Sequence, residues 1–243
     1  MSVGKNGRMR PARSAVAAAV AACLLVTGCS AGKAAPKASP LAGGATYHGV
    51  EPEPVPARPS FLLTDTSGKP FDFGAETRGK PTLVYFGYTN CPDECPTAMA
   101  DIAAALRRTT PDLRRKTKVV FVTTDAKRDT GAVLRRWLDQ FSTTFIGLTG
   151  TQPQLDTAAR SAGVPPGEVG PSPSTIPGHP DQHVEKPGTA PHKHFGPLGY
   201  SVAHSAVIYA YDASDRLPVV YPGGITPSDI VADLPVLAEA RRQ

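Results

Sequence analysis

Apolar residues along this chain recur with two periods, and the changes between them mark out its elements. Phe61-Leu62-Leu63, a Ser67-Gly68 turn and Phe71-Asp72-Phe73 predict an N-terminal hairpin. Thr82-Leu83-Val84-Tyr85-Phe86-Gly87-Tyr88 and Lys118-Val119-Val120-Phe121-Val122-Thr123-Thr124 are continuous apolar runs of the kind found in strands buried on both faces. Residues 145–148 predict a short third strand. Helical spacing predicts helices over about 96–108, 130–141 and 152–162. Strands at 205–211 and 217–221 and a closing helix over about 227–241 complete the pattern. Strands alternating with helices indicate an α/β domain with a largely parallel central sheet.

Three stretches lack this patterning. Lys5, Arg8, Arg10 and Arg13 precede an apolar run of about a dozen residues, too short for the roughly 20 needed to cross a bilayer. Residues 1–28 therefore read as a secretory signal, removed on export. The run ends in Leu25-Val26-Thr27-Gly28-Cys29, which resembles the lipobox of bacterial lipoproteins and implies acylation of Cys29. Residues 29–60, rich in Ala, Gly, Lys and Pro, read as a tether from that anchor, with too little apolar content to fold. The expected location is the extracytoplasmic face of the cell membrane. Residues 165–197, dense in Pro and Gly and carrying His179, His183, His192 and His194, read as a loop insertion in a domain spanning 61–243.

Processing changes the meaning of the charge. Without residues 1–28 the chain carries 22 Lys and Arg against 21 Asp and Glu, so the footprint of a nucleic-acid binder is missing. It also changes the cysteine count. Cys23 leaves with the signal and Cys29 is lipidated, so Cys91 and Cys95 remain. They are too close in sequence to close a long loop, and metal or redox chemistry explains them better.

Cys91-Pro92-Asp93-Glu94-Cys95-Pro96 falls between the first buried strand and the next helix, at the carboxyl end of a strand, where α/β sheets build sites. With Pro96 at the first helical position, Cys95 is expected at or near the N-cap. The positive end of the helix favours thiolate over thiol there. Asp93 and Glu94 partly oppose that shift and attract a cation. The spacing leaves both a disulfide and chelation open, and chelation demands less adjustment of the turn. Two thiolates and an imidazole would make a soft site suited to Cu(I) and able to serve Cu(II). His204, just before the 205–211 strand, is a candidate imidazole, although a lone histidine beside a buried strand is by itself better read as structural.

Tyr85-Phe86-Gly87-Tyr88-Thr89 before the cysteine loop, Val122-Thr123-Thr124-Asp125 with Arg128-Asp129-Thr130, Phe145-Ile146-Gly147-Leu148-Thr149-Gly150 and His204-Ser205-Ala206-Val207-Ile208-Tyr209 together resemble the Sco/SenC family of copper-handling proteins. The resemblance implies a thioredoxin-like fold with a central mixed sheet flanked by helices. It implies one copper ion, as Cu(I) or Cu(II), on Cys91, Cys95 and His204. It also implies a metallochaperone role in maturing the copper centre of cytochrome c oxidase, with the oxidase's copper-site subunit as partner and another extracytoplasmic copper chaperone as an optional one. Asp125 matches a family acid near the metal loop and serves equally as a helix cap. Two positions depart from the family: Ala203 stands where an acid commonly precedes the histidine, and Ala126 where a proline follows the acid. The inserted histidines are open to two readings, a Cu(II)-collecting arm or a solvated loop.

The rival reading is a membrane-tethered thiol-disulfide reductase that keeps the cysteines of a client copper site reduced. His204 discriminates, because dithiol exchange does not require it. A passive lipoprotein whose cysteines merely pair explains neither the helix-end placement nor the accompanying motifs.

Overall fold

The two continuous apolar runs lie side by side in the middle of a seven-stranded sheet. The structure is a computed structural model and describes residues 47–171 and 200–239. In chain order the elements are β1 (Leu62–Asp65), β2 (Pro70–Asp72), α1 (Phe73–Thr77), β3 (Thr82–Gly87), α2 (Glu94–Arg108), α3 (Pro111–Lys116), β4 (Lys118–Thr123), α4 (Gly131–Leu138), β5 (Ile146–Thr149), α5 (Gln152–Ser161), β6 (Glu168–Pro171), β7 (Tyr200–Ala203), β8 (Ile208–Tyr211), β9 (Val219–Tyr221) and α6 (Pro227–Ala238). The strand order is β2-β1-β5-β4-β3-β8-β9, parallel across β5-β4-β3 and antiparallel outside it. This is the central mixed sheet flanked by helices that the resemblance implies.

Period-two alternation along β3 divides the core. Leu83 and Tyr85 join Cys95, Met99 and Ile102 of α2 and Leu234 of α6 on one face. Val84 and Phe86 join Val120, Val122 and Leu155 on the other. Because both faces are covered, β3 is buried along its whole length, which is why its sequence does not alternate.

Several boundaries differ from the sequence reading. The second arm of the N-terminal hairpin ends at Asp72, whose carboxylate accepts the Ala75 amide and starts α1 instead. Thr110 likewise caps the one-turn-and-a-half α3. Helix α2 begins at Glu94 with Asp93 as N-cap, so Cys95 lies inside the first turn, not at the cap, and Pro96 occupies a position whose amide has no helical partner in any case. Of the predicted 205–211 strand only Ile208–Tyr211 pairs with the main sheet. The start of the 165–197 stretch forms β6, which pairs with β7 in a separate two-stranded sheet.

The largest difference is at 47–60, taken from composition as tether. Val50 exchanges two backbone hydrogen bonds with Val220, and Pro56 accepts one from Leu217. The Arg58 side chain is 3% exposed. Its guanidinium donates to Asp215 at 2.8 Å, Thr77 at 3.0 Å and the carbonyls of Lys80 and Asp212 at 2.9 and 2.8 Å. The His48 ring and amide both reach the buried Asp233 carboxylate, which also accepts the Tyr221 hydroxyl. Composition missed this strap because, apart from the buried Tyr47, most of what holds it is polar, reaching β9, the segment just before it, α1 and α6. Residues 1–46, including Cys29, and the inserted His179, His183, His192 and His194 lie outside the described residues. Among the described residues no helix is long and apolar enough to cross a membrane.

Candidate metal centre

The site forms where β3 runs out. The chain turns after Gly87, the Cys91 amide donates to the Tyr88 carbonyl at 3.2 Å, and α2 begins. In that first turn the Cys95 amide, one of the donors without a helical acceptor, points at the Cys91 sulfur at 3.4 Å. Cys91 is 8% exposed and Cys95 fully buried, and both are free thiols.

His204 follows β7 and comes to the same place from the other side. Its Nδ1 lies 3.1 Å from the Val202 carbonyl, which can only accept, so Nδ1 carries a proton and Nε2 is the nitrogen left to face the sulfurs. Nε2 is 3.2 Å from Cys95 Sγ and 3.9 Å from Cys91 Sγ. The three donor atoms all lie within 4.8 Å of one another. Bonds of about 2.0–2.3 Å to one ion would set three donors about 3.5–4 Å apart, which this cluster brackets. The ring is held edge-on by Tyr88, with centroids 5.2 Å apart, and by Tyr85 at 6.3 Å. Ala203 therefore costs the histidine no orienting contact that the main chain does not supply.

The two thiols are unequal. Hydrogen bonding from the Cys95 thiol, opposed by burial and helped by His204 and the backbone amides of Cys95 and Asp93, holds Cys91 down at about 4. Burial, then the hydrogen bond and charge of Cys91, push Cys95 strongly up. For His204, burial works against the charged form, but the hydrogen bonds to Cys91 and Val202 and the Cys91 charge outweigh it and raise the pKa. The metal-free site thus holds one thiolate at its rim and one protonated sulfur beneath.

With iodoacetamide on the reduced, metal-free chain, Cys91 is expected to react in preference to Cys95, at a rate flat between about pH 6 and 8. An ordinary thiol with a pKa of about 8.5 would gain roughly tenfold per pH unit there, whereas a group ionised above about 4 has nothing left to gain. Peptide mapping by mass gives both rates, and a Cys91 rate that climbs with pH would contradict the assignment.

Asp125 does not touch a ligand. It is 3% exposed, pairs with Arg128 Nε, accepts the Arg128 amide at 3.3 Å and takes the Tyr200 hydroxyl at 2.7 Å. It is not a helix cap, since Thr130 caps α4; it accepts an amide within the turn before that helix and, through Tyr200, reaches the strand that leads to His204. The sequence reading missed Tyr88, Tyr200 and the side chain of Arg128 as parts of the site. Tyr88 and Arg128 were visible only as members of motifs. Asp129 is fully buried and ties the cysteine loop to β4, accepting the Thr89 amide at 2.9 Å, the Thr89 hydroxyl at 2.6 Å and the Thr123 hydroxyl at 2.6 Å.

Comparison with known proteins places these features in context. The family model described as SCO1/SenC matches residues 50–171. An SCO2-like protein of Rickettsia felis is 42% identical over 98 residues, 39% of this chain and 45% of that protein. Protein SenC of Rhodobacter capsulatus is 40% identical over 103 residues, 42% of this chain and 45% of that protein. The chain thus spans under half the length of these curated relatives. The structure of Bradyrhizobium japonicum ScoI with copper bound matches with a TM-score of 0.58 and 29% identity, covering 75% of this chain and 99% of that one.

Proposed function

We propose a function from a fixed premise, that this chain belongs to the SCO1/SenC family: it takes up one copper ion on Cys91, Cys95 and His204 and hands it on in the assembly of the copper centre of cytochrome c oxidase. The observation that carries this reading is the ring of three donors within 4.8 Å, with Nε2 of His204 turned to both sulfurs. The similarity to a copper-bound ScoI supports it. Copper is cargo here. Two thiolates suit Cu(I), and the added imidazole admits Cu(II).

Each residue has a part in loading. Cys91 is already ionised and meets the ion at the rim. Cys95 gives up its Sγ proton as the ion arrives, so uptake releases a proton. His204 keeps its Nδ1 proton on the Val202 carbonyl, gives up any proton on Nε2 and binds as a neutral imidazole. Release then proceeds by ligand exchange at Cys91, the sulfur nearest solvent. Acylation of Cys29 would hold the chain on the extracytoplasmic face of the membrane, close to a membrane-bound client.

A second reading, reduction of the client's cysteines, is favoured by the unequal thiols, since one thiolate beside one protonated thiol can attack and then resolve a mixed disulfide. The test is a strain lacking this protein and complemented with His204→Ala, whose dithiol is intact. Oxidase copper content is expected to stay at the level of the uncomplemented strain. Wild-type oxidase would move the assignment to the reductase. In the same strain, Cys29→Ser is expected to move the chain from the membrane to the soluble fraction.

A further inference from the structure

The hairpin that delivers His204 is not part of the main sheet. Among the described residues strands β6 and β7 pair with each other and with no strand of the main sheet, while the cysteines belong to a loop and helix anchored on β3. A two-stranded hairpin alone is marginal in water, so its position over the cysteine loop must be fixed from outside. Val202, 2% exposed, supplies an apolar footing. Footing alone does not set the register or height of a ligand two residues further on.

Arg128 is placed to do so. Its side chain is 9% exposed, and its Nε pairs with Asp125. Its guanidinium carbon sits 3.8 Å from the centroid of the Tyr200 ring, and Nη1 donates to the Tyr200 carbonyl at 2.9 Å. The same Asp125 takes the Tyr200 hydroxyl at 2.7 Å. The other neighbour of the guanidinium is the Tyr88 ring at 5.4 Å, and Tyr88 packs edge-on against the His204 ring. One cation therefore touches the start of the His204-bearing strand and the start of the cysteine loop together. A planar, forked and stacking group can serve all these contacts at once; an ammonium cannot.

We propose that Arg128, braced by Asp125, is a positioning residue that clamps the His204-bearing strand to the cysteine loop and so sets the reach of His204 to the two sulfurs. The proposal rests on the three-ligand reading above. Lysine at this position keeps the charge beside Asp125 but loses the fork and the stack. It also removes the buried Nη2, which has no hydrogen-bond partner among the described residues.

The test compares the full chain with Arg128→Lys, Tyr200→Phe and His204→Ala in a copper competition titration. The sulfur-to-copper charge-transfer band, the thermal midpoint of the metal-free protein and the ring N–H signal of His204 in its NMR spectrum are recorded alongside. Arg128→Lys is expected to bind copper about 10–100-fold more weakly, with a band displaced toward that of His204→Ala and a weakened His204 ring N–H signal. The thermal midpoint and the number of titratable thiols should stay near wild type. Tyr200→Phe, which keeps the stack and loses only the bond to Asp125, should fall between. Wild-type affinity and band in Arg128→Lys overturn the proposal, as does a loss of affinity matched by loss of folded protein with an unchanged band. If Arg128→Lys does not fold, Tyr200→Phe decides, and wild-type values there overturn the proposal. Wild-type copper binding by His204→Ala would instead overturn the ligand assignment itself, a failure that is read in a different variant.

Discussion

Cys91→Ala, Cys95→Ala and His204→Ala are each expected to weaken copper binding by the full chain by more than about a hundredfold. The scale follows from the fact that groups outside a ligand set already cost about 10–100-fold when removed. The three losses should differ in kind. Either cysteine change removes a thiolate and its charge, and what is left, one sulfur and one imidazole, holds Cu(I) poorly. His204→Ala leaves both sulfurs, which still make a soft pair, so its loss should fall more heavily on Cu(II) than on Cu(I). Titration with each oxidation state, read from the sulfur-to-copper band and by competition with a chelator, separates these outcomes. If His204→Ala binds both states as wild type does, the imidazole is not a ligand and the dithiol stands alone.

Gly87→Ala is expected to damage the same site without removing any ligand. A Cβ at residue 87 would lie 2.6 Å from Cys95 Sγ and 2.7 Å from the Tyr85 ring, far inside normal contact. Neither neighbour can move cheaply: Cys95 is fully buried in the first turn of α2, and Tyr85 is 1% exposed in the central strand. Overpacking of this kind costs about 1–3 kcal/mol, and about 2–4 °C of thermal midpoint per kcal/mol in a domain of this size. The displaced sulfur should also lower copper affinity well beyond what the stability change accounts for. Calorimetry and the copper titration on one preparation test this together. A stable Gly87→Ala protein with native affinity would mean that the strand end yields more easily than its burial suggests.

The elements with a strong period were legible in the sequence because burial dictates them. β3 and β4, buried on both faces, could hardly read otherwise, and α2, α4, α5 and α6 carry apolar stripes. The short α1 and α3 were not legible. Each depends on a single capping side chain, Asp72 or Thr110, in a stretch with no period to detect. The strap at 47–58 was hidden for a different reason: Arg58 bonds to groups 154 and 157 positions away, and no local pattern announces such partners. The site divides in the same way. Cys91 and Cys95 declared themselves by spacing and by their place after a strand. His204 needed the family resemblance, since a lone histidine has no periodicity. Gly87, Arg128 and Tyr200 matter through what they touch in three dimensions, and only the assembled fold brings those contacts together.

The donors of the metal cluster differ in how much folding they require. Cys91 and Cys95 are four positions apart and remain neighbours in any conformation of the chain, whereas His204 is 109 positions from Cys95. An unfolded chain can therefore still grip a soft ion with its two sulfurs, and only the native state adds the imidazole. By thermodynamic linkage, a ligand stabilises the native state only by its preference for it over the unfolded one. The rise in melting temperature on loading would then measure chiefly the His204 increment, not the whole strength of binding. An ion held very tightly could in consequence leave the melting curve of this protein only modestly displaced.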